Sequence, residues 1–194
     1  MKTRVAVLIS GAGSNMAALI DAGQAPDSAY EVALVLSNVE DAGGLAVAGA
    51  KGVATTVIPH RPYGQDRAAH ERAVDTALRT AHAQVVALAG YMRVLTPWLV
   101  GAWRGRMLNI HPSLLPLYPG LDTHARAIAA GDAEAGCTVH LVTEGVDEGP
   151  ILDQARVPIL AGDTTETLAQ RVLTAEHQLY PRALDAFCRA LPRT

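Results

Sequence analysis

The sequence predicts a doubly wound α/β fold with a mostly parallel sheet and an antiparallel C-terminal strand, all in one domain. Three observations predict it. Short runs rich in Val, Leu and Ile alternate with longer helix-like segments. Those runs are apolar throughout rather than at every second residue, the mark of strands covered on both faces. The first run ends in a glycine loop, and a helical segment begins at once, as in a ligand-binding βα unit.

Residues 4–9, 32–37, 53–58, 85–89 and 106–110 read as strands, with helical character around 15–22, 42–50, 65–82 and 97–103. The pattern changes after Ile110. A proline-rich loop, HPSLLPLYPG, runs to Gly120, and a short helix is expected near 123–130. Strands follow at 138–143 and 151–158, joined by a loop with Glu144, Gly145, Asp147 and Gly149. That connection is too short for a helical crossover, so the pair is predicted antiparallel. A final helix starts near residues 163–165, whose side chains can cap it. Pro181 is expected to kink or divide that helix.

Composition narrows the class. The chain has 194 residues, 49% hydrophobic and 18% charged, with a formal net charge of -3. That balance suits a compact core and points to neither nucleic acid nor a membrane surface as partner. The two cysteines, Cys137 and Cys188, form no CxxC pair and read as small buried apolar residues. The opening MKTRVAVLIS is too short an apolar run for a signal peptide, and the apolar window 84–103 contains Arg93 and Pro97. A cytoplasmic location is expected.

The glycine loop is Ser10-Gly11-Ala12-Gly13-Ser14-Asn15. Glycines let the backbone turn sharply, and free amides at the next helix start favour an anion. A dinucleotide motif would need a third glycine, where Met16 stands, and an acid after the second strand, where Ser37-Asn38 stand. With no lysine after the loop either, a monophosphate is the expected guest, with Ser14 and Asn15 adding side-chain donors.

Asn109 and His111 are two apart at a strand end, so their side chains share one side. Pro112 holds His111 extended. An amide can stabilise an oxyanion and an imidazole can move a proton, which suits acyl or formyl transfer to an amine. Asp147 is the best candidate to orient and charge the imidazole. Taken singly, each residue reads as an ordinary polar group or, for Asp147, a turn former. Their combination with the phosphate loop carries the inference. His124 and His140 could form a metal set with His111, but none of these has helix-site spacing such as HExxH, so a metal-free site is expected.

The strings LISGAGSN, LAGYMRVLTP, LNIHPSLLPLYPG, CTVHLV, VDEGPIL and AEHQLYP, in that order, resemble the folate-dependent formyltransferases. The likeness runs from about Val5 to Pro181, and the SGxGSN start narrows it toward enzymes acting on glycinamide ribonucleotide. It implies one formyltransferase domain over 1–194, with phosphate binding in about 1–100 and folate binding and catalysis in about 101–194. It implies a catalytic trio of Asn109, His111 and Asp147, with Gly13, Ser14 and Asn15 on the substrate phosphate and Glu176 on its ribose. Met92, Arg93, Val94 and Leu95 would line the folate pocket, partly through backbone groups. Arg67 would face the glutamate tail, and the loop from Thr143 to Asp147 would close on the pterin. It also implies 10-formyltetrahydrofolate as cosubstrate, small-molecule partners only, a monomer or homodimer, and a cis bond at Leu115-Pro116. On side chains alone Met92, Val94 and Leu95 read as core, Arg67 as a solvated cation and Glu176 as an ordinary surface residue.

Two departures stand out. Asp122 occupies a position where many bacterial relatives carry His, and Glu148 one where a small residue is common. A second carboxylate beside Asp147 is expected to raise the pKa of either acid. Asp153, in an otherwise apolar strand, is expected to face solvent. Among rivals, a formyltetrahydrofolate hydrolase would carry an N-terminal regulatory domain, for which a strand starting at about Arg4 leaves no room. A methionyl-tRNA formyltransferase would need a C-terminal domain and a basic surface. A Rossmann module without chemistry would leave the Asn109–His111–Asp147 constellation unexplained.

Overall fold

The computed structural model describes residues 1–192. The elements run β1 (Thr3–Ile9), α1 (Ser14–Gly23), β2 (Tyr30–Ser37), α2 (Gly43–Ala50), β3 (Thr55–Val57), α3 (Arg67–Thr80), β4 (Val85–Leu88), α4 (Pro97–Ala102), β5 (Met107–His111), α5 (Thr123–Ala130), β6 (Glu134–Leu141), β7 (Ile151–Pro158) and α6 (Thr165–Ala190). One seven-stranded sheet has the order β3-β2-β1-β4-β5-β6-β7. The first five strands are parallel; β6 runs antiparallel to β7, as predicted, and also to β5.

Strand alternation explains the continuous apolar runs. Val5, Val7 and Ile9 face one core, with α1 and α6, while Ala6 and Leu8 face the other, with α3 and α4. β4 and the start of β5 divide in the same way: Leu108 and Ile110 join the first core, and Met107 joins the second. Asn109 and His111 continue the Met107 face. The face that buries helix α4 farther back thus presents polar groups at its carboxyl end.

The sequence boundaries needed correction at four places. β3 pairs over only three residues, because Val53 N–H bonds Ala48 and closes α2. β6 starts at Glu134, four residues before the expected Thr138. Gly136 permits this: a Cβ there would lie 2.0 Å from the Ala155 carbonyl, so only glycine lets β7 approach. A short 3₁₀ turn over Arg61–Tyr63 was not anticipated. Pro181 does not divide the last helix, which runs unbroken over 26 residues. An interior proline costs ~3 kcal/mol or more, but Leu179, Tyr180, Ala183 and Leu184 lock both sides of it into the core. Each such large apolar side chain, once buried, contributes about 1.5–3 kcal/mol.

α6 begins at a capping box between Thr164 and Thr167. Arg171 and the Leu160 amide hold Asp163 well below the usual carboxylate range there. Far along the same helix, the Tyr180 hydroxyl lies 3.0 Å from the Leu88 carbonyl and 3.2 Å from that of Leu108. It bridges the end of β4 and the first half of β5, the two strands that lead into the site. Asp153 is half-buried rather than free in solvent, paired with Arg182 at 2.9 Å.

Candidate active site

The carboxyl ends of β1, β4 and β5 are neighbours in the sheet. Each carries one part of the site. After β1, Gly13 takes the left-handed conformation (φ 72°) that starts α1, and it makes no side-chain cap. The amides of Gly13, Ser14, Asn15 and Met16 have no backbone partner among the described residues. α2 packs close behind, with Gly44 N–H bonded to the Gly11 carbonyl at 3.0 Å. The result is an outward row of N–H groups at a helix start, suited to an anion.

After β4, Tyr91 is buried while Met92 and Val94 are 69% and 60% exposed. These two are therefore not core, contrary to the side-chain expectation; Leu95 does pack against the second core. Val94 and Leu95 have no backbone hydrogen-bond partner among the described residues.

β5 and β6 supply the polar centre. Cross-strand register sets Asn109 opposite His140 and His111 opposite Thr138. His111 and His140 are both buried, 6% and 3% exposed. The loop after β6 folds back so that Asp147 meets both rings. Its Oδ2 lies 3.3 Å from His111 Nδ1 and its Oδ1 3.6 Å from His140 Nε2. Gly120 N–H donates to the same Oδ2 at 2.9 Å. Gly149 makes this return possible, since a Cβ there would sit 1.7 Å from the Leu141 carbonyl.

Proton positions follow from the partners. His111 Nε2 is 2.9 Å from the Tyr118 carbonyl, which only accepts, so Nε2 carries hydrogen. Its Nδ1 faces a carboxylate. The ring satisfies both contacts only as an imidazolium. His140 Nδ1 likewise donates to the Leu141 carbonyl at 3.0 Å. Its Nε2 lies 3.3 Å from the Asn109 amide. A charged His140 therefore calls for the Asn109 oxygen at that contact, with the amide hydrogens turned outward; a neutral one calls for the reverse.

Burial raises the Asp147 carboxyl, but bonds from His140 and Gly120 and the two imidazoles more than offset it, so it titrates below the ordinary aspartate value. The expected upward push from Glu148 is thus corrected for Asp147. Glu148 instead folds back over Gly145, where a Cβ would lie 2.2 Å from its Oε2. Tyr118, Asp122 and Asp147 all have positive φ (55°, 56° and 56°). Non-glycine residues in that region are sparse and gather at functional sites.

The formyl transferase family model matches residues 3–184. The chain belongs to the formyl transferase family. It is 54% identical to phosphoribosylglycinamide formyltransferase from Brucella melitensis, with a TM-score of 0.93 and full coverage of both chains. It is 44% identical to phosphoribosylglycinamide formyltransferase of Escherichia coli (strain K12), over 94% of this chain and 86% of that one. It is also 48% identical to the trifunctional purine biosynthetic protein adenosine-3 of Bos taurus over 95% of this chain, but spans only 18% of that protein's length.

Within this formyl transferase domain the structure brings Asn109, His111 and Asp147 together, directly or through His140. Asn15 is turned from the amide row: its Nδ2 lies 2.6 Å from Glu176 Oε2. Glu176 is buried rather than a surface residue, and burial lifts its carboxyl above the ordinary glutamate value, the Asn15 bond offsetting only part. Arg67 stands exposed on the first turn of α3, away from any ion pair among the described residues. Thr143 is exposed at the start of the Asp147 loop, and Asp122 is exposed at the N-cap of α5 without a cap bond. The Leu115-Pro116 bond is cis. His124, on α5, has no hydrogen bond to these groups, but burial and the nearby His111 hold its imidazole below the ordinary histidine value. No group of three His, Cys, Asp or Glu side chains among the described residues is arranged for a metal, and no described helix is long and apolar enough to cross a membrane.

Sequence reasoning treated His140 only as a possible metal ligand. Its tie to Asn109 needed the β5–β6 register, and the signal was there: His140 stands two residues after Thr138, on the same side of a strand predicted to neighbour β7. The Tyr118 carbonyl and the Gly120 amide are backbone groups of an irregular loop, which side-chain patterns do not reveal.

Proposed function

We propose that the chain transfers the formyl group of 10-formyltetrahydrofolate to the amine of glycinamide ribonucleotide, giving formylglycinamide ribonucleotide and tetrahydrofolate in de novo purine biosynthesis. The observation that carries this is the Asp147 carboxylate between His111 and His140, on the same sheet edge as a row of open helix-start amides. The names of the bacterial relatives support the same formyl acceptor.

The residues fit a folate cosubstrate. Met92 and Val94 offer apolar surface, and the Val94 and Leu95 backbones offer unpaired amide groups for a heterocycle edge. Arg93 lies in the same loop, and Arg67 is free to meet a carboxylate tail. The exposed Val146, beside Thr143 on the Asp147 loop, can cover the ring. On the other side Gly13, Ser14 and the neighbouring amides hold the phosphate, with Asn15 and Glu176 as one unit toward the ribose.

The formylfolate supplies an electrophilic carbon, and attack by the neutral substrate amine puts negative charge on the formyl oxygen. Asn109 donates one amide N–H to that oxygen, and its contact with His140 holds the side chain in place. His111 donates from Nε2 to the same oxygen, exchanging the Tyr118 carbonyl for it. Asp147 orients the ring through its contact with Nδ1. His111, or a water held by Asp147, then carries the proton released by the amine to N10 as the C–N10 bond breaks. The phosphate loop fixes the far end of the nucleotide, so that the amine arrives already oriented.

Asp147→Asn is nearly isosteric and removes only charge. It should lower kcat by on the order of 10²-fold or more, with KM for both substrates changed only a few-fold. Wild-type turnover should proceed without added metal and survive a chelator. Activity kept within a few-fold in the variant would pass the acid role to another carboxylate, Glu148 first, and zinc-restored activity would overturn the metal-free mechanism.

A further inference from the structure

Ser10 stands between β1 and the phosphate loop, yet its bonds lead elsewhere. Its N–H donates to the Gly90 carbonyl at 3.0 Å. Its Oγ accepts the Met92 N–H at 2.8 Å and donates to Asn38 Oδ1 at 2.6 Å. Asn38, 2% exposed, in turn sets Nδ2 3.1 Å from His60 Nδ1. A hydroxyl has one hydrogen, and Asn38 Oδ1 takes it, which leaves a lone pair for Met92. The chain Met92 N–H to Ser10 to Asn38 has one consistent direction, and such chains strengthen cooperatively.

The loop after β4 is therefore gripped at two points. Glu71, on α3, accepts from Thr96 N–H at 2.8 Å and from the Thr96 hydroxyl, fixing the far end to a helix. Ser10 fixes the near end, at Gly90 and Met92. Arg93 and Val94 span the gap between them, with Leu95 packed on the second core. The near anchor is also the residue next to Gly11, so anything that shifts or stiffens residues 11–15 acts directly on Met92.

We propose that Ser10 is a positioning residue that couples the two substrate sites: phosphate in the 11–15 loop orders the 90–95 loop, so nucleotide and folate bind cooperatively. This rests on the function proposed above. Coupling of this kind is reciprocal, each ligand raising the affinity for the other by one factor. A serine with a merely structural role would change folate affinity equally with and without nucleotide.

The test is calorimetric titration of tetrahydrofolate, under reducing conditions, into wild type and Ser10→Ala, with and without saturating glycinamide ribonucleotide. In wild type the nucleotide should tighten tetrahydrofolate binding about fivefold or more, within the usual range of allosteric coupling. In Ser10→Ala the enhancement should fall below about twofold, whatever the affinity for either ligand alone. Hydrogen exchange in wild type gives a readout that needs no variant: nucleotide alone should slow exchange of the Met92 amide, and an unchanged rate overturns the coupling. Enhancement that persists in Ser10→Ala, or none in a wild type that binds both ligands, overturns the coupling and leaves the function standing. Failure of wild type to bind either ligand overturns both.

Discussion

Asp147 and Glu176 are both partly or wholly removed from water, and their carboxyls move in opposite directions. Asp147 has partners that favour its charge, so its folded pKa lies below the unfolded one. Its contribution to stability is full above the ordinary aspartate value and is lost as pH falls through the lower folded value. Glu176 is raised by burial. The folded chain holds its proton longer, so stability falls as pH rises from the ordinary glutamate value to the raised one. Urea denaturation across a pH series should separate them: Asp147→Asn flattens the acid-side loss, and Glu176→Gln flattens the decline on the other side. If Asp147→Asn leaves the acid limb unchanged, the carboxylate is not held by the two imidazoles. The sequence alone identified Asp147, but its sign of shift depended on Gly120 N–H and His140, neither of which a motif displays.

Among the elements, the glycine loop and the β4–β5 edge position the chemistry. Gly13 has φ 72°, and a Cβ there would meet Met16 Cε at 2.7 Å and Gly44 Cα at 3.1 Å. Gly13→Val should therefore weaken the amide row and raise KM for the nucleotide by at least about tenfold, the scale of one lost charge-assisted contact. Affinity for folate alone should barely change; equal weakening of both would mean general misfolding. Tyr180→Phe removes the hydroxyl that ties Leu88 to Leu108 deep in the core. Loss of a buried partner costs about 1–3 kcal/mol, seen as a lower urea midpoint at constant m; an unchanged midpoint would mean the tie contributes nothing. The strands that carry these groups were legible because they are apolar on both faces. The ends of β3 and β6 were not, since they depend on what the neighbouring strand offers, as Gly136 shows. The unbroken α6 was misjudged because the local penalty of Pro181 is outweighed by packing on either side of it.

Over the whole molecule, one fold brings three loops to one edge of the sheet. The parallel sheet was implicit in the alternation of strand and helix, and the antiparallel pairing of β6 with β7 in their short connection; the order of strands was not. Asp147, 36 or more positions after residues 109–111, was a candidate partner from its glycine-rich loop and was placed beside them by family likeness; the return of the loop over the sheet now gives the meeting a physical basis. The proposed function requires the carboxyl ends of these strands to move a formyl group onto a phosphate-bearing amine. The direct measurement supplies 10-formyltetrahydrofolate labelled with ¹³C in the formyl group, together with glycinamide ribonucleotide and formyl-accepting charged tRNA in one buffered solution, and follows the label by NMR. The predicted result is label on the nucleotide amine, with tetrahydrofolate formed in equal amount and little label elsewhere. Label appearing as formate, or on the tRNA, while the nucleotide stays unlabelled would contradict it.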